Sequence, residues 1–269
     1  KATDPAVGVL DECGRFAIPL LSGHLGGAND LARALAAACG AVPVITTATD
    51  ANGLFAVDTW AKVQGCAVQE VSRIKNVSGA LLADKTVSVA SAWPIAGTPP
   101  KGVCLAPAGA APDVVLSLTP GRTAPEALHL VPKIGILGVG CKRGTPQEQL
   151  EAAFAAFCES TGLVPAGLCG AASIDLKKDE PGLAAFCAAH GWPIVFYTAE
   201  QLRQVEGDFT PSAFVRSVTG VDNVCERAAV RAAGGPLVLK KCAGGGVTLA
   251  LAAKPFAPDW SWQDAEYTN

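Results

Sequence analysis

The sequence predicts an α/β protein of several domains, mixed α/β sandwiches built from βα units, with a truncated N-terminal domain. Three observations carry this. Short apolar runs alternate with Ala-rich amphipathic stretches, the pattern of strands with helices packed on them. Gly-rich turns fall where apolar runs give way to helical ones, as in βα connections. The 269 residues amount to about two domains by length. The chain starts at Lys1, has no Met and enters strand-like sequence at once, so the native start is expected upstream.

Ala6–Asp11 and Phe16–Leu21 read as strands joined by a Glu12–Arg15 turn. After a loop over Ser22–Asp30, a helix runs to Cys39, with Leu31, Leu35 and Cys39 as its inward face and Gly40 as its C-terminal glycine. Ala41–Thr47 is a third strand, paired in parallel through that helix. Residues 1–52 are thus the remainder of an N-terminal α/β domain.

Residues 53–130 form a middle domain or elaborated linker. Helices are expected over Phe55–Cys66 and Val68–Ala83, and strands over Val87–Ala90 and Val114–Leu118, separated by a Pro/Gly-rich stretch. Ala127–Gly140 reads as one buried strand opening a C-terminal α/β domain over residues 131–255. Thr145, Pro146 and Glu148 have the spacing of a capping box with proline in the first turn. Helices then follow to about Thr161, over Glu180–His190, Ala199–Val205 and Val221–Ala233. Strands lie within Val164–Leu176 and over Trp192–Thr198, Pro236–Lys240 and Val247–Ala252. The tail, residues 256–269, is polar and frays or docks locally.

The formal net charge of −3 supplies no basic field for nucleic acid, and no apolar run is long enough to span a bilayer. None of the ten cysteines forms a CxxC pair or has a histidine at ligand spacing, so no metal site is expected. Most lie in apolar stretches and read as small buried hydrophobes in a reducing cytoplasm.

Two loops have the chemistry of a site. Ser22-Gly23-His24-Leu25-Gly26-Gly27-Ala28-Asn29-Asp30 places an imidazole, a carboxylate and backbone amides at a helix N-terminus. The alternative is a capped tight turn with a surface histidine. Gly138-Val139-Gly140-Cys141-Lys142-Arg143-Gly144-Thr145 combines close-approach glycines with two cations. It lacks both the GxGxxG fingerprint and the GK[ST] ending, which disfavours a nucleotide-dependent oxidoreductase. It also reads as a capped βα turn with solvated Lys and Arg.

Glu226, in the first turn of a helix, is a second acid/base candidate or simply a dipole-favoured Glu. Lys240-Lys241 beside Gly244-Gly245-Gly246, and Asp175 with Lys177 and Lys178, are ligand-cation or solvated-surface candidates. His129 and His190 read as structural or surface residues.

Ile18–Ala32 and Val42–Asp50 closely resemble the cobalt-precorrin-5A hydrolase family, CbiG. Gly138–Thr145, Thr219-Gly220-Val221, Val224-Cys225-Glu226 and Gly246–Ala250 resemble that family's C-terminal domain, which is related to CobE. The resemblance implies an enzyme of cobalamin biosynthesis. Water opens the δ-lactone of a cobalt-containing corrinoid, acetaldehyde leaves, and cobalt-precorrin-5B forms. The cobalt belongs to the substrate, so no cofactor is implied. A non-catalytic tetrapyrrole carrier is the alternative. A homo-oligomer and hand-over contacts with other enzymes of the pathway are compatible with the family.

On residue chemistry, His24 activates water or relays a proton. Asp30 orients it or caps the helix, and Glu226 is the second acid/base. Asn29 and the Gly26 and Gly27 amides stabilise an oxyanion. Ser22, Gly140, Cys141 and Thr145 line the substrate, and Lys142 and Arg143 hold its carboxylates across a domain interface.

Overall fold

The computed structural model describes residues 5–21, 23, 26–45, 49, 52–120 and 124–262. The chain divides into two units: Lys1–Ser117 with Thr123–Leu130 and Pro258–Asn269, and Leu118–Arg122 with Val131–Ala257. Segments 1–52 and 53–130 therefore share one unit for most of their length, and the tail returns to it.

In the first unit, Val7–Leu10 (β1) and Phe16–Leu21 (β2) pair antiparallel, and Val42–Pro43 (β3) joins β2 in parallel. Asp11 closes the turn, its carboxylate accepting from the amides of Cys13 and Phe16. Ala28–Cys39 (α1) is the crossover helix. Its buried row is Ala28, Ala32 and Ala36, and Ala32 and Ala36 cluster with Ala17 of β2; Leu31 and Cys39 are exposed and Leu35 is only partly buried. Both rows have helical spacing, so periodicity does not choose between them. Alanines let the helix backbone lie close to the sheet, which seats the small row inward. Among the described residues of the third strand the ladder is two residues, extended by a Val44 N–H donating to Ala17 O at 2.8 Å; its expected end, Thr46 and Thr47, lies outside the described residues.

The rest of the unit comprises Val57–Val63 (α2), Cys66–Val68 (β4), Ile74–Leu82 (α3), Val87–Ser91 (β5), Val103–Leu105 (β6), Val114–Leu116 (β7) and Leu128–Pro132 (β8). The sheet order is β4-β8-β7-β5-β6, with β5 to β8 parallel. Both helices are shorter than expected. Gly65, at φ 65°, turns the chain after α2, and Cys66–Val68 enters the sheet as a strand that helical periodicity hides. The described tail docks: Trp260 stacks on Trp60 with centroids 5.3 Å apart, and the Trp60 indole N–H donates to Asp259 O at 2.6 Å. His129 is structural, its Nδ1 2.9 Å from Glu70 and its Nε2 3.1 Å from Ala124 O.

The second unit holds Gly135–Cys141 (β9), Gln147–Thr161 (α4), Leu168–Ile174 (β10), Pro181–Ala189 (α5), Ile194–Tyr197 (β11), Ala199–Arg203 (α6), Ala213–Thr219 (α7), Cys225–Ala233 (α8), Leu237–Gly244 (β12) and Val247–Ala253 (β13). The sheet order is β11-β10-β9-β13-β12. β9, β10 and β11 run parallel, and β13 runs antiparallel to both β9 and β12. The expected single strand over Ala127–Gly140 is two strands, β8 and β9, in different sheets. Pro132 has no N–H to continue a ladder, and Ile134 N–H turns back to Pro132 O at 3.0 Å. Helix α7 lies between the helices expected over Ala199–Val205 and Val221–Ala233, where no element was expected, and α8 begins four residues later than expected.

α8 packs on Ile136, Ala172 and Ala252, while Leu137 and Val139, on the alternate face of β9, are fully buried as well. A strand covered on both faces reads as a continuous apolar run. All ten cysteines are free, but among them only Cys187 and Cys225 are buried, which corrects the expectation that most are.

Gly138 sets the helix–sheet distance. A Cβ there would lie 1.9 Å from Cys225 O and 3.0 Å from the Ala229 Cβ. Gly138→Ala should therefore lower unfolding stability by about 3 kcal/mol, read from the urea midpoint. Gly144 has φ 70° and open space around its Cβ position. Gly144→Ala should cost about 1 kcal/mol, through backbone strain alone.

Candidate functional site

The first loop joins β2 to α1. Gly27 is the N-cap at φ 79°, a left-handed conformation that glycine adopts without a Cβ penalty, and no side chain caps the helix. The Asn29 amide donates to Gly23 O at 2.9 Å, which closes the turn, and Asn29 is buried. Its amide N–H is thus committed to the loop and not directed at a ligand. Asp30 does not cap α1. Its carboxylate lies 2.5 Å from Lys62 Nζ and 3.5 Å from Arg33. The pairs are solvent-accessible, each worth at most about 1 kcal/mol. Ser22 and His24, and with His24 the expected His24–Asp30 pairing, lie outside the described residues. Gly26 and Gly27 are partly exposed at the turn.

The second loop, Gly140–Pro146, leaves the carboxyl end of β9, the sheet edge where α/β folds bind ligands. Several contacts fix it. Lys142 N–H donates to Gly246 O at 3.2 Å, and Gln149 Nε2 donates to Gly245 O, tying the loop to the β12–β13 turn. Thr145 Oγ1 donates to Lys142 O at 2.8 Å. Gly144 N–H donates to Glu180 Oε2 at 2.7 Å, and Glu180 Oε1 accepts from Lys177 Nζ at 3.0 Å.

The capping box is not formed. The N-cap of α4 is Pro146, without a side-chain cap, because the Thr145 hydroxyl turns back into the loop. Thr145 is buried and serves the loop's shape. Gly140 is required by Thr248, whose Oγ1 would be 2.4 Å from an added Cβ. Gly138 and Gly140 thus answer to packing, not to a phosphate. Cys141 is half-buried; burial raises its thiol pKa, with smaller opposed effects from Lys177 and Glu180. Lys142 and Arg143 are exposed and make no side-chain hydrogen bond or ion pair among the described residues.

Glu226 is fully buried and holds three chain segments together. Its carboxylate accepts from Thr210 N (2.7 Å), Thr210 Oγ1 (2.9 Å), Asn223 Nδ2 (2.7 Å) and Lys241 N (2.6 Å). Asn223 Oδ1 accepts in turn from Glu226 N at 2.9 Å, so the two residues bond each other at the start of α8, whose N-cap, Val224, has no side-chain cap. In this arrangement Glu226 organises the start of α8; it does not present an open carboxylate to a substrate. Lys241 Nζ reaches Thr210 O at 3.2 Å and Lys240 pairs with Asp208 at 2.7 Å, so both sit in local contacts. Asp175 and Lys178 are exposed, and Lys177 belongs to Glu180.

Glu180 and Asn223 are the residues that sequence reasoning missed. Asn223-x-x-Glu226 carries a local signal, an amide and a carboxylate three residues apart at a helix start. Glu180 has only its place before Pro181, and its link to Gly144 crosses from one βα unit to the next.

Three family models match the chain in order. "Cobalamin synthesis G N-terminal" covers residues 1–50, "Cobalamin biosynthesis central region" 55–106 and "Cobalamin synthesis G C-terminus" 135–252. The fold and its loops thus fall within a class of cobalamin-biosynthesis proteins. A cobalt-precorrin-5A hydrolase of Salmonella typhimurium is 36% identical over 266 residues, 93% of this chain and 75% of that protein. One of Priestia megaterium is 31% identical over 275 residues, 95% of this chain and 73% of its own length. Protein CobE of a Sinorhizobium species is 33% identical over 120 residues, 44% of this chain and 78% of that protein. The chain belongs to the cobalamin synthesis G family, CbiG.

Two outcomes are expected from these geometries. Glu226→Ala leaves several buried donors unanswered and should cost about 3 kcal/mol or more of unfolding stability, read by thermal or urea melting. The Gly144 backbone hydrogen bond is the main force holding the Glu180 carboxyl below its ordinary 4.5, helped by Lys177 and Arg143 against burial. A depressed carboxyl stabilises the fold above its unfolded value, and that contribution is lost as pH falls through the lower folded value. The stability gap between wild type and Glu180→Gln should therefore be full at neutral pH and close below about pH 4.5 in acid titrations.

Proposed function

We propose that this chain is a cobalt-precorrin-5A hydrolase. It opens the δ-lactone of the corrinoid precursor with water and releases acetaldehyde to give cobalt-precorrin-5B. The observation that carries this is the likeness to two proteins of that name over more than nine-tenths of the chain. Lys142 and Arg143 support it, as two cations without an ion-pair partner among the described residues, on a fixed loop suited to a polycarboxylate substrate.

The chemistry needs a base twice. Water adds to the lactone carbonyl as its proton is removed, and the acyl–oxygen bond breaks to leave a carboxylate and a hydroxyl. Loss of that hydroxyl's proton then breaks the carbon–carbon bond. Acetaldehyde leaves, and the ring carbon takes the electron pair and a proton. His24 is assigned the proton transfers, since an imidazole near neutrality both accepts and returns protons. The Gly26–Gly27 turn is assigned to the lactone oxyanion. Asp30 is held in place by Lys62 and Arg33 in the first turn of α1. Glu226 acts by holding the start of α8. The cobalt arrives in the substrate, and none of these steps needs a resident cofactor.

The test is acetaldehyde release from purified cobalt-precorrin-5A. His24→Ala should lower kcat by about a hundredfold or more, with the protein folded. Lys142→Ala/Arg143→Ala should raise KM with kcat nearly unchanged. Chelator dialysis of the enzyme before substrate is added should leave the rate unchanged. Tight corrinoid binding without acetaldehyde would instead identify a carrier.

A further inference from the structure

We propose that Glu180 is a positioning residue for anion recognition: its carboxylate holds the Gly140–Pro146 loop in the form that presents Lys142 and Arg143. Assigning the anion as a substrate carboxylate rests on the hydrolase function proposed above. Glu180 is 7% exposed and sits immediately before α5, one βα unit after the loop it holds. Its two oxygens are divided: Oε2 accepts from Gly144 N–H and Oε1 from Lys177 Nζ. Gly144 adopts φ 70° at that point, so its amide has one fixed direction and a buried acceptor to meet it.

The neighbouring contacts reinforce this division of labour. Gly182 allows the first turn of α5 to abut the loop, since a Cβ there would be 2.1 Å from Thr145 O. The Thr145 hydroxyl and the β12–β13 turn tie the rest of the loop down. Glu180 pairs with the partly buried Lys177 and leaves Lys142 and Arg143 unpaired among the described residues. A carboxylate beneath two cations would be expected to bond one of them. Here it bonds the backbone N–H of Gly144, the residue after Arg143, and the Lys177 ammonium in the short turn that follows β10, so the loop is shaped and the cations stay available. Preorganisation of this kind lowers the ordering cost of binding.

The test compares full-length wild type, Glu180→Ala and Glu180→Gln. Uroporphyrin I, an octacarboxylate tetrapyrrole, serves as the binding probe by fluorescence titration, and acetaldehyde release from cobalt-precorrin-5A as the activity. Hydrogen exchange reads the Gly144 and Thr145 amides. Glu180→Ala should raise the uroporphyrin Kd and the substrate KM about tenfold, leave kcat within about twofold and speed exchange at Gly144. Glu180→Gln, whose amide oxygen still accepts from Gly144 N–H, should recover most of the affinity. A lowered melting temperature with unchanged Kd in Glu180→Ala would make Glu180 purely structural and overturn the proposal. So would a wild type that does not bind uroporphyrin. Wild-type binding without acetaldehyde would defeat the hydrolase function alone, leaving Glu180 to be judged on Kd and exchange.

Discussion

The second unit depends on the approach of α8 to β9 at Gly138. A strand backbone and a helix backbone meet where any side chain would collide with Cys225 O. That proximity fixes the first turn of α8, and the first turn carries Glu226. From Glu226 the hydrogen bonds run to Thr210, Asn223 and Lys241, and so to the preceding loop and the edge strand. A missing methyl group on one residue thus governs where three chain segments sit. Van der Waals contact sets the distance, and the buried carboxylate fixes the orientation.

The Gly140–Pro146 loop is built on the same sheet by different means. Beyond Cys141, where β9 ends, it has no regular structure, so its backbone groups need partners from elsewhere. They come from the β12–β13 turn, from Thr145 and from Glu180. A loop held at so many points carries its exposed cations in a defined place, which is what recognition of a polycarboxylate requires. The first loop follows another plan. There glycine conformation and one backbone bond from Asn29 to Gly23 shape the turn, and Asp30 is balanced by Lys62 and Arg33.

Much of the fold was legible because its strands and helices have local causes. Apolar runs and 3.6-residue spacing locate β1, β2, α1, α4, α5 and the β12–β13 pair. What periodicity does not carry was lost. The alanine and leucine rows of α1 have the same spacing, and only contact with the sheet chooses between them. Pro132 divides β8 from β9, yet the apolar run continues across it. Thr145 has the spacing of a cap, but its hydroxyl found a nearer acceptor in Lys142 O. At the candidate site, the cations and glycines were visible as residue types. The reasons for them were not, because Gly138 answers to α8, Gly140 to Thr248 and Gly144 to Glu180, all distant in sequence.

The most direct measurement of the central claim is turnover of cobalt-precorrin-5A in water enriched in oxygen-18, with mass analysis of the corrinoid product. Lactone hydrolysis by acyl–oxygen cleavage predicts one heavy oxygen in the newly formed carboxylate and one equivalent of acetaldehyde per corrinoid consumed. A product without label in that carboxylate, or substrate bound and returned unchanged, would contradict it.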